Sequence, residues 1–80
     1  MYTEETDFFA VEKGTRKILN YRSSHSSALE MMRFYPNAEL VVAVHRQYPN
    51  GDIKSFYGHS WSLALRAANA GIENYHEFFE

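Results

Sequence analysis

The stretch ELVVAVHRQY-PNGD-IKSFYGH, residues 39–59, decides the fold of this chain. Its two outer parts are rich in β-branched and aromatic side chains, which favour extended strands. Between them, Asn50-Gly51 suits the two positive-φ positions of a type I′ turn, a tight turn that joins antiparallel strands. The stretch therefore predicts a β-hairpin.

A helix is predicted directly after this hairpin. Ser60 has the residue type of an N-cap, and the helix is expected to run to about Ala70. Gly71 lies where a C′ glycine is common, because glycine readily adopts the left-handed backbone that ends a helix. The second part of the chain thus forms a strand–strand–helix unit.

The first part of the chain predicts the same order of elements. The predicted elements are a strand at residues 8–12, a turn at 13–15, a strand at 16–22 and a helix from Ser24 or Ser27 to about Tyr35. Pro36 ends the helix, because it disfavours helical backbone in the preceding residue. At an offset of 36 residues, Tyr21 aligns with Tyr57 and Ser24 with Ser60, whereas Ala10-Val11 aligns with Ala43-Val44 at an offset of 33.

The predicted fold class is α+β. Two ββα units (ββαββα) form a four-stranded antiparallel sheet with two helices on one face, and the pattern leaves open a short C-terminal helix. The chain is predicted to be a single domain (1–80) with an acidic N-terminal segment (1–7), a first ββα unit (8–36), a second ββα unit (39–71) and an acidic C-terminal tail (72–80). The order of the strands is not predicted.

The two-residue turn also predicts which side chains share a face of the sheet. It pairs Tyr48 with Ile53 and Val44 with Tyr57, and alternate side chains of a strand point to opposite faces. The predicted helix-covered face contains Phe9, Val11, Leu19, Tyr21, Leu40, Val42, Val44, Arg46, Tyr48, Ile53, Ser55, Tyr57 and His59. The predicted open face contains Phe8, Ala10, Arg16, Ile18, Asn20, Arg22, Val41, Ala43, His45, Gln47, Lys54 and Phe56.

Composition excludes several classes of protein. A chain of 80 residues fits one small domain, and the absence of cysteine excludes disulfides, thiolate metal sites and a cysteine nucleophile. Small secreted domains usually depend on disulfides, and the acidic residues 1–7 are unlike a secretory signal. No apolar run is long enough to predict a membrane span. We therefore expect a cytoplasmic protein, in the host cytoplasm if a phage encodes it.

Charge is unevenly distributed along the chain. All eight basic residues lie between Lys13 and Arg66, where only three acids occur, so this body carries +5. Residues 1–12 carry −4 and residues 67–80 carry −3, which leaves the net charge of −2. The acidic ends are either solvated termini or segments that meet a basic partner.

No motif predicts catalysis or metal binding. The chain has four histidines, but His45 and His59 lie on opposite faces in the predicted register, and a zinc site needs three or four ligands. The neighbours Ser24-His25-Ser26 lack the acid that a catalytic triad requires. No phosphate-binding loop or metalloprotease motif is present. We therefore predict no enzyme, no catalytic residue, no metal and no cofactor.

The first functional hypothesis is a small non-enzymatic protein-interaction module, a monomer or a homodimer. Aromatic side chains and arginine are the preferred anchors of interfaces, and the helical wheel puts Phe34 on the exposed side of its helix. The hairpin turn supplies a second prominent contact. The predicted partner-binding residues are Arg33, Phe34, Arg46, Tyr48, Asn50 and Asp52.

The alternative hypothesis is binding of RNA or single-stranded nucleic acid through the open sheet face. Bases stack on aromatic rings while arginine and lysine contact phosphates. The residues predicted for this role are Arg16, Arg22, His45, Gln47, Lys54 and Phe56.

In format, the chain resembles the small inhibitors that phages encode against host machinery, anti-CRISPR proteins included. The resemblance covers the whole chain and consists of single-domain size, absence of cysteine, mild acidity and absence of a catalytic motif. It implies a protein that binds and blocks a host protein or ribonucleoprotein complex.

Overall fold

The computed structural model describes residues 1–80 and confirms the predicted α+β fold with two ββα units. The elements in chain order are β1 (Thr3–Glu12), β2 (Ile18–Arg22), α1 (His25–Met32), β3 (Ala38–Gln47), β4 (Ile53–Gly58), α2 (Trp61–Ala70) and α3 (Tyr75–Phe78). None of the three helices has the length and apolar character needed to cross a bilayer.

The four strands form one antiparallel sheet in the order β2-β1-β3-β4. The two central strands pair over their full length, from Thr3 opposite Gln47 to Glu12 opposite Ala38. Helices α1 and α2 pack on one side of the sheet, which is called the helix face below. Helix α3 and the residues around it pack on the other side, called the opposite face.

Local hydrogen bonds explain where the two longer helices begin and end. The hydroxyl of Ser24 accepts the backbone N–H of Ser27 (3.4 Å), and the hydroxyl of Ser60 accepts that of Leu63 (3.2 Å). These are the N-cap bonds that the serine pattern predicts. Gly71 ends α2 in left-handed backbone (φ 69°), as predicted for a C′ glycine.

The helix face carries the larger core. Phe8, Val42, Val44 and Phe56 of the sheet pack against Ala28 of α1 and against Ala64 and Ala68 of α2. Fully burying a side chain as large as Phe8 or Val42 stabilises the folded state by about 2–3 kcal/mol. Because alanines form the contact layer of α2, that helix lies very close to the sheet.

The close approach of α2 to the sheet requires glycine at position 58. A Cβ at position 58 would lie 2.6 Å from the backbone nitrogen of Ala64 and 2.9 Å from the carbonyl carbon of Leu63. Both neighbours are backbone atoms of α2, which cannot move aside as a flexible side chain would.

The opposite face is partly covered, whereas the sequence predicted an open face. Phe79, which follows α3 directly, is buried against Val11, Val41, Ala43 and Tyr57. The rings of Phe9 and Phe78 also pack on this cluster. The acidic C-terminal tail therefore provides apolar cover for part of the opposite face.

The hairpin register differs by one residue from the predicted one. Ile53 pairs with Gln47 rather than Tyr48, so the turn contains five residues, Tyr48–Asp52. Proline favours the first central position of a turn, which Pro49 occupies. The Gly51 N–H donates to the Tyr48 C=O (2.9 Å) and closes that turn. Gly51 has a positive φ of 91°, whereas Asn50 does not have the positive φ that a type I′ turn would require. Proline thus selects a longer turn over the type I′ turn that Asn-Gly suggested.

This slip reverses the predicted faces of β4, because the side-chain period of a strand is two. Phe56 is buried on the helix face, and Tyr57 is on the opposite face. His59 follows the strand, and its ring packs against Phe78 (4.9 Å between centroids).

The predicted faces of β1 and β2 are also reversed. Phe8 pairs with Val42 and therefore points to the helix face, whereas Phe9 pairs with Val41 and points to the opposite face. Tyr21 of β2 pairs with Phe9 and therefore lies on the same face, where the two rings are 6.0 Å apart. The prediction started β1 at Phe8, whereas the strand begins at Thr3 and includes most of the acidic N-terminal segment.

The internal alignment holds at one offset and fails at the other. At an offset of 36, Ser24 and Ser60 are both helix N-caps, and Tyr21 and Tyr57 both lie on the opposite face. At the offset of 33, Ala10 packs on the helix face and Ala43 on the opposite face, so these two positions are not equivalent. In the observed register the even-numbered residues of β1 and β3 share the helix face, so an offset of 33 aligns positions on opposite faces.

Candidate interaction surface at the hairpin end of the sheet

One end of the sheet, called the hairpin end below, is formed by the N-terminal residues 1–5 and by the β3–β4 turn with its flanking residues 46–54. Pairing brings these segments together, because Thr3 lies opposite Gln47 and Gln47 lies opposite Ile53. Four of the six predicted partner-binding residues are located here: Arg46, Tyr48, Asn50 and Asp52.

A concave site of about 300 Å³ lies at this end. Its lining residues are Met1, Tyr2, Thr3, Gln47, Tyr48 and Pro49. The Tyr2 and Tyr48 rings lie 5.7 Å apart, and the side chain of Met1 is fully exposed. Ile53 is 65% exposed at the same end, so several large apolar side chains here have no partner inside the chain.

Arg46 connects several segments of the hairpin end through its buried side chain. Its Nε donates to Glu4 Oε1 (2.9 Å), its Nη2 donates to Asn69 Oδ1 (2.9 Å), and its guanidinium lies 4.3 Å from the centre of the Tyr2 ring. Burial by itself lowers the pKa of Arg46, but the hydrogen bond to Glu4 and the nearby Tyr2 and Glu4 outweigh it, so the pKa is raised. Arg46 therefore links β3 to β1 and α2 as a permanent cation.

The prediction that Arg46 is a surface anchor needs correction, because only 6% of the residue is exposed. Its Nε and Nη2 already donate to Glu4 and Asn69. Arg46 can position Tyr2 for a partner, but it does not offer a free guanidinium.

The turn itself is preorganised by its own side chains. Asn50 Oδ1 accepts the backbone N–H of Asp52 (3.0 Å), and Asn50 Nδ2 donates to Asp52 Oδ2 (3.1 Å). Tyr48 N–H donates to the Asp52 C=O (2.9 Å). Both Asn50 and Asp52 are exposed, as a contact role requires.

The remaining predicted partner-binding residues lie at the other end of the molecule. Phe34 is 80% exposed in the turn between α1 and β3, next to the exposed Arg33. The ten residues of β3 separate this turn from the hairpin end by roughly 30 Å. The structure therefore divides the predicted contact set into two surfaces, each too distant to extend the other.

The structure also divides the residues predicted to bind nucleic acid. Phe56 is 1% exposed in the helix-face core, so its ring cannot stack on a base. Lys54 and Arg22 are paired with helix-face positions, Arg46 and Phe8, whereas His45 and Gln47 lie on the opposite face. Arg16 lies at the far end, where its Nη1 donates to the His76 C=O (2.9 Å). The predicted single platform is not formed, because two strands have the reverse of their predicted orientation.

A polar line crosses the opposite face beside the hairpin end. His45 Nε2 lies 3.1 Å from Asp7 Oδ2, and His45 Nδ1 lies 2.6 Å from the Ser55 hydroxyl. The order acid–histidine–serine is that of a catalytic triad, but catalysis also requires a substrate cleft and oxyanion donors. The cavity next to His45 measures about 90 Å³, and Ser55 is not among its lining residues. The direct role of the line is to connect β1, β3 and β4.

Sequence reasoning missed two features of this region. Tyr2 and the strand Thr3–Asp7 were predicted as a solvated segment, because three carboxylates in five residues give no hydrophobic alternation. The Asp7–His45–Ser55 line was missed because its members come from three strands. A signal for the strand did exist, since Thr3, Thr6 and the following Phe8 have high strand propensity.

No group of three or more histidine, aspartate or glutamate side chains is arranged to hold a metal ion. No protein-family model, curated protein or solved structure matches this chain.

Proposed function

We propose that this chain is a small non-enzymatic protein-binding module that contacts its partner with the hairpin end of the sheet. One observation supports the proposal most: a concave site, lined by Met1, Tyr2, Tyr48 and Pro49 together with the polar Thr3 and Gln47, lies at the same end of the sheet as exposed Ile53 and the hydrogen-bonded turn. Concave sites that receive a partner's side chain are typical centres of protein interfaces.

Rigidity of this surface favours binding, because little conformational entropy is lost on association. The Arg46 hydrogen bonds fix the ring of Tyr2, and the Asn50 and Asp52 bonds fix the turn. A stable interface covers about 800 Å² on each partner, so the contact would extend from the concave site over the neighbouring turn and strand ends.

Binding of this kind is sufficient to inhibit a partner, since a bound domain excludes other molecules from the surface it covers. The proposed activity is therefore to occlude a surface of a host protein or ribonucleoprotein in the cytoplasm. The inhibitory role is proposed because the chain resembles small phage-encoded inhibitors in format. The experiment that tests binding also tests this role.

The test compares two double variants in an affinity capture from lysate of the organism in which the protein acts. Tyr48→Ala with Ile53→Ser alters the hairpin end, and Arg33→Ala with Phe34→Ala alters the far end as a matched control. Both pairs consist of exposed or half-exposed residues. We expect the first variant to lose the captured protein and the second to retain it, with melting temperatures close to that of the wild type.

Three outcomes would contradict the proposal. Loss of capture only in the far-end variant would move the contact to Phe34. Capture that disappears after nuclease treatment would favour nucleic-acid binding. Labelling of Ser55 by a fluorophosphonate would contradict the non-enzymatic assignment, and Ser55→Ala is the control for that reaction.

A further inference from the structure

The central strand β1 is paired on one side over only part of its length. Strand β2 pairs with Phe8–Val11 alone, whereas β3 pairs with all of β1. Residues Thr3–Asp7 therefore have a neighbouring strand on one side and none on the other. This segment is called the open edge below.

Antiparallel pairing decides which backbone groups of the open edge are free. The Tyr57 N–H donates to Asn74 Oδ1 (2.8 Å) and its C=O accepts from Asn74 Nδ2 (2.7 Å), so the backbone of Tyr57 points away from β3. Its cross-strand partner Ala43 must then direct its backbone toward β1, and this alternation continues along β1. Glu4 and Thr6 are thus the residues whose N–H and C=O point outward.

No loop of the chain donates to, or accepts from, these outward groups. The side chains of the open edge bond elsewhere: Glu4 accepts from Arg46, and Asp7 contacts His45. An added strand would find four backbone groups in the geometry of a sheet.

On the two edge strands, side chains close part of the exposed backbone. Asn74 satisfies the outward backbone groups of Tyr57 on β4. On β2, the Tyr21 N–H donates to Asn20 Oδ1 (2.8 Å), and the Tyr21 C=O accepts from Arg22 Nη1 (2.7 Å). Such closure prevents unwanted strand addition, so its absence at Thr3–Asp7 sets this edge apart.

The charge of the open edge indicates which kind of strand would bind there. It carries Glu4, Glu5 and Asp7, and Glu5 has no ionic or hydrogen-bonded side-chain partner. On the remaining unclosed part of β4, Lys54 lies between Ile53 and Ser55 and repels a cationic strand. The open edge therefore favours a basic segment and β4 does not.

A second copy of this chain is a poor occupant. If Glu4 of one copy were hydrogen bonded to Thr6 of another in an antiparallel pair, the two Glu5 side chains would lie directly opposite each other. Like charges at directly opposed positions of two strands destabilise their pairing. Charge thus argues against a homodimer through this edge.

We propose that an extended segment of a partner protein, with lysine or arginine at alternate positions, adds to Thr3–Asp7 as an antiparallel strand in line with β2. This inference rests on the proposed protein-binding function and names the chemistry of the partner. Backbone hydrogen bonds to Glu4 and Thr6 hold the strand, and its basic side chains lie beside Glu5 and Asp7.

The test uses the full chain labelled with nitrogen-15 and a capped synthetic heptapeptide, Thr-Lys-Val-Lys-Val-Lys-Thr. Titration should shift the amide resonances of Thr3–Phe8, and the amide protons of Glu4 and Thr6 should exchange more slowly with solvent. A peptide with glutamate in place of each lysine is the control and should not bind.

Three variants separate backbone pairing from simple charge attraction. Thr6→Pro removes one outward N–H and should weaken binding about tenfold or more, whereas Thr6→Val keeps that N–H and should bind as the wild type does. Glu5→Gln should weaken binding and reduce its dependence on salt. If Thr6→Pro does not fold, slowed exchange at Glu4 and Thr6 in the wild type still decides the question.

Several results would overturn the proposal: no binding of the lysine peptide, shifts centred on Ile53–Ser55, or concentration-dependent shifts that reveal dimerisation through this edge. Its failure differs from failure of the proposed function. If Thr6→Pro retains full capture of the lysate partner while the hairpin-end variant loses it, the protein-binding function stands and strand addition is wrong.

Discussion

At the residue scale, burial and hydrogen bonding decide what a charged side chain does. Arg46 has the residue type of an interface anchor, yet it is enclosed by Tyr2, Glu4 and Asn69. Phe34 has the residue type of a core residue, yet it is among the most exposed side chains. The helical wheel predicted the exposure of Phe34, whereas the contacts that enclose Arg46 depend on which segments meet in space.

Replacing Arg46 with methionine tests its structural role. The substitution keeps much of the apolar stem and removes both hydrogen bonds, so we expect the free energy of unfolding to fall by about 2 kcal/mol. Glu4→Gln should cost less, because the Glu4 side chain is about one-third exposed and water can replace its partner. Urea unfolding of the two variants checks this order, and an equal or larger loss for Glu4→Gln would contradict it.

Tyr57 makes the free energy of unfolding depend on pH in the alkaline range. Burial raises the pKa of its phenol, a hydrogen bond with Ser55 lowers it, and Tyr75 raises it, with a net increase. The folded state therefore favours the protonated phenol. The stability that this provides is complete below the pKa of an unfolded tyrosine, about 10, and is lost as pH rises through the folded pKa.

We expect the difference in free energy of unfolding between wild type and Tyr57→Phe to be constant from pH 7 to 9. Above pH 10 the wild type should lose stability relative to the variant. Urea titrations at pH 8 and pH 11 measure this difference. A difference that does not change with pH would show that the phenol titrates alike in the folded and unfolded states.

At the element scale, small residues determine how closely α2 approaches β4. Replacing Gly58 with alanine would place a Cβ within 3 Å of α2 backbone atoms, so the helix must shift. We expect destabilisation of about 1–3 kcal/mol, the usual cost of overpacking. Ser62→Ala, at an exposed position of α2, is the matched control and should change the melting temperature little.

The C-terminal element is a cover for the sheet rather than a solvated tail. Phe79 is buried among Val11, Val41, Ala43 and Tyr57, so Phe79→Ala should lower the free energy of unfolding by about 3 kcal/mol and expose an apolar face. Binding of a hydrophobic dye and the melting temperature would report both effects. Glu80→Ala is the control, and an equal effect from both variants would contradict the assignment.

At the scale of the whole molecule, the two ββα units form one cooperative structure. The long ladder between β1 and β3 joins them, and the helix-face core draws on both, with Phe8 and Ala28 from the first and Val42, Phe56 and Ala64 from the second. Neither unit contains a complete core.

We therefore predict that peptides 1–37 and 38–80 are each unfolded, and that an equimolar mixture regains helical circular dichroism. A cooperative thermal transition in either peptide alone would show that one unit is an independent domain.

The sequence by itself determined the elements of this protein that depend on neighbours within a few residues. The N-caps at Ser24 and Ser60 and the end of α2 at Gly71 were predictable, because their hydrogen bonds and backbone angles are local. The alternation of strands and helices gave the ββαββα order and placed both helices on one face. The exposure of Phe34, Asn50 and Asp52 was predictable for the same local reasons.

Only the tertiary structure decided the register, the faces and the surfaces. Pro49 lengthened the turn because proline favours the first turn position, but it was the pairing of β1 with β3 that directed Phe8 inward and turned Thr3–Asp7 into a strand. A shift of one residue exchanges the two faces of a strand, so a small difference in turn geometry moved Phe56 from the predicted binding face into the core. The concave site, the Asp7–His45–Ser55 line and the open edge are products of pairing between residues distant in sequence, and no local pattern encodes such pairing.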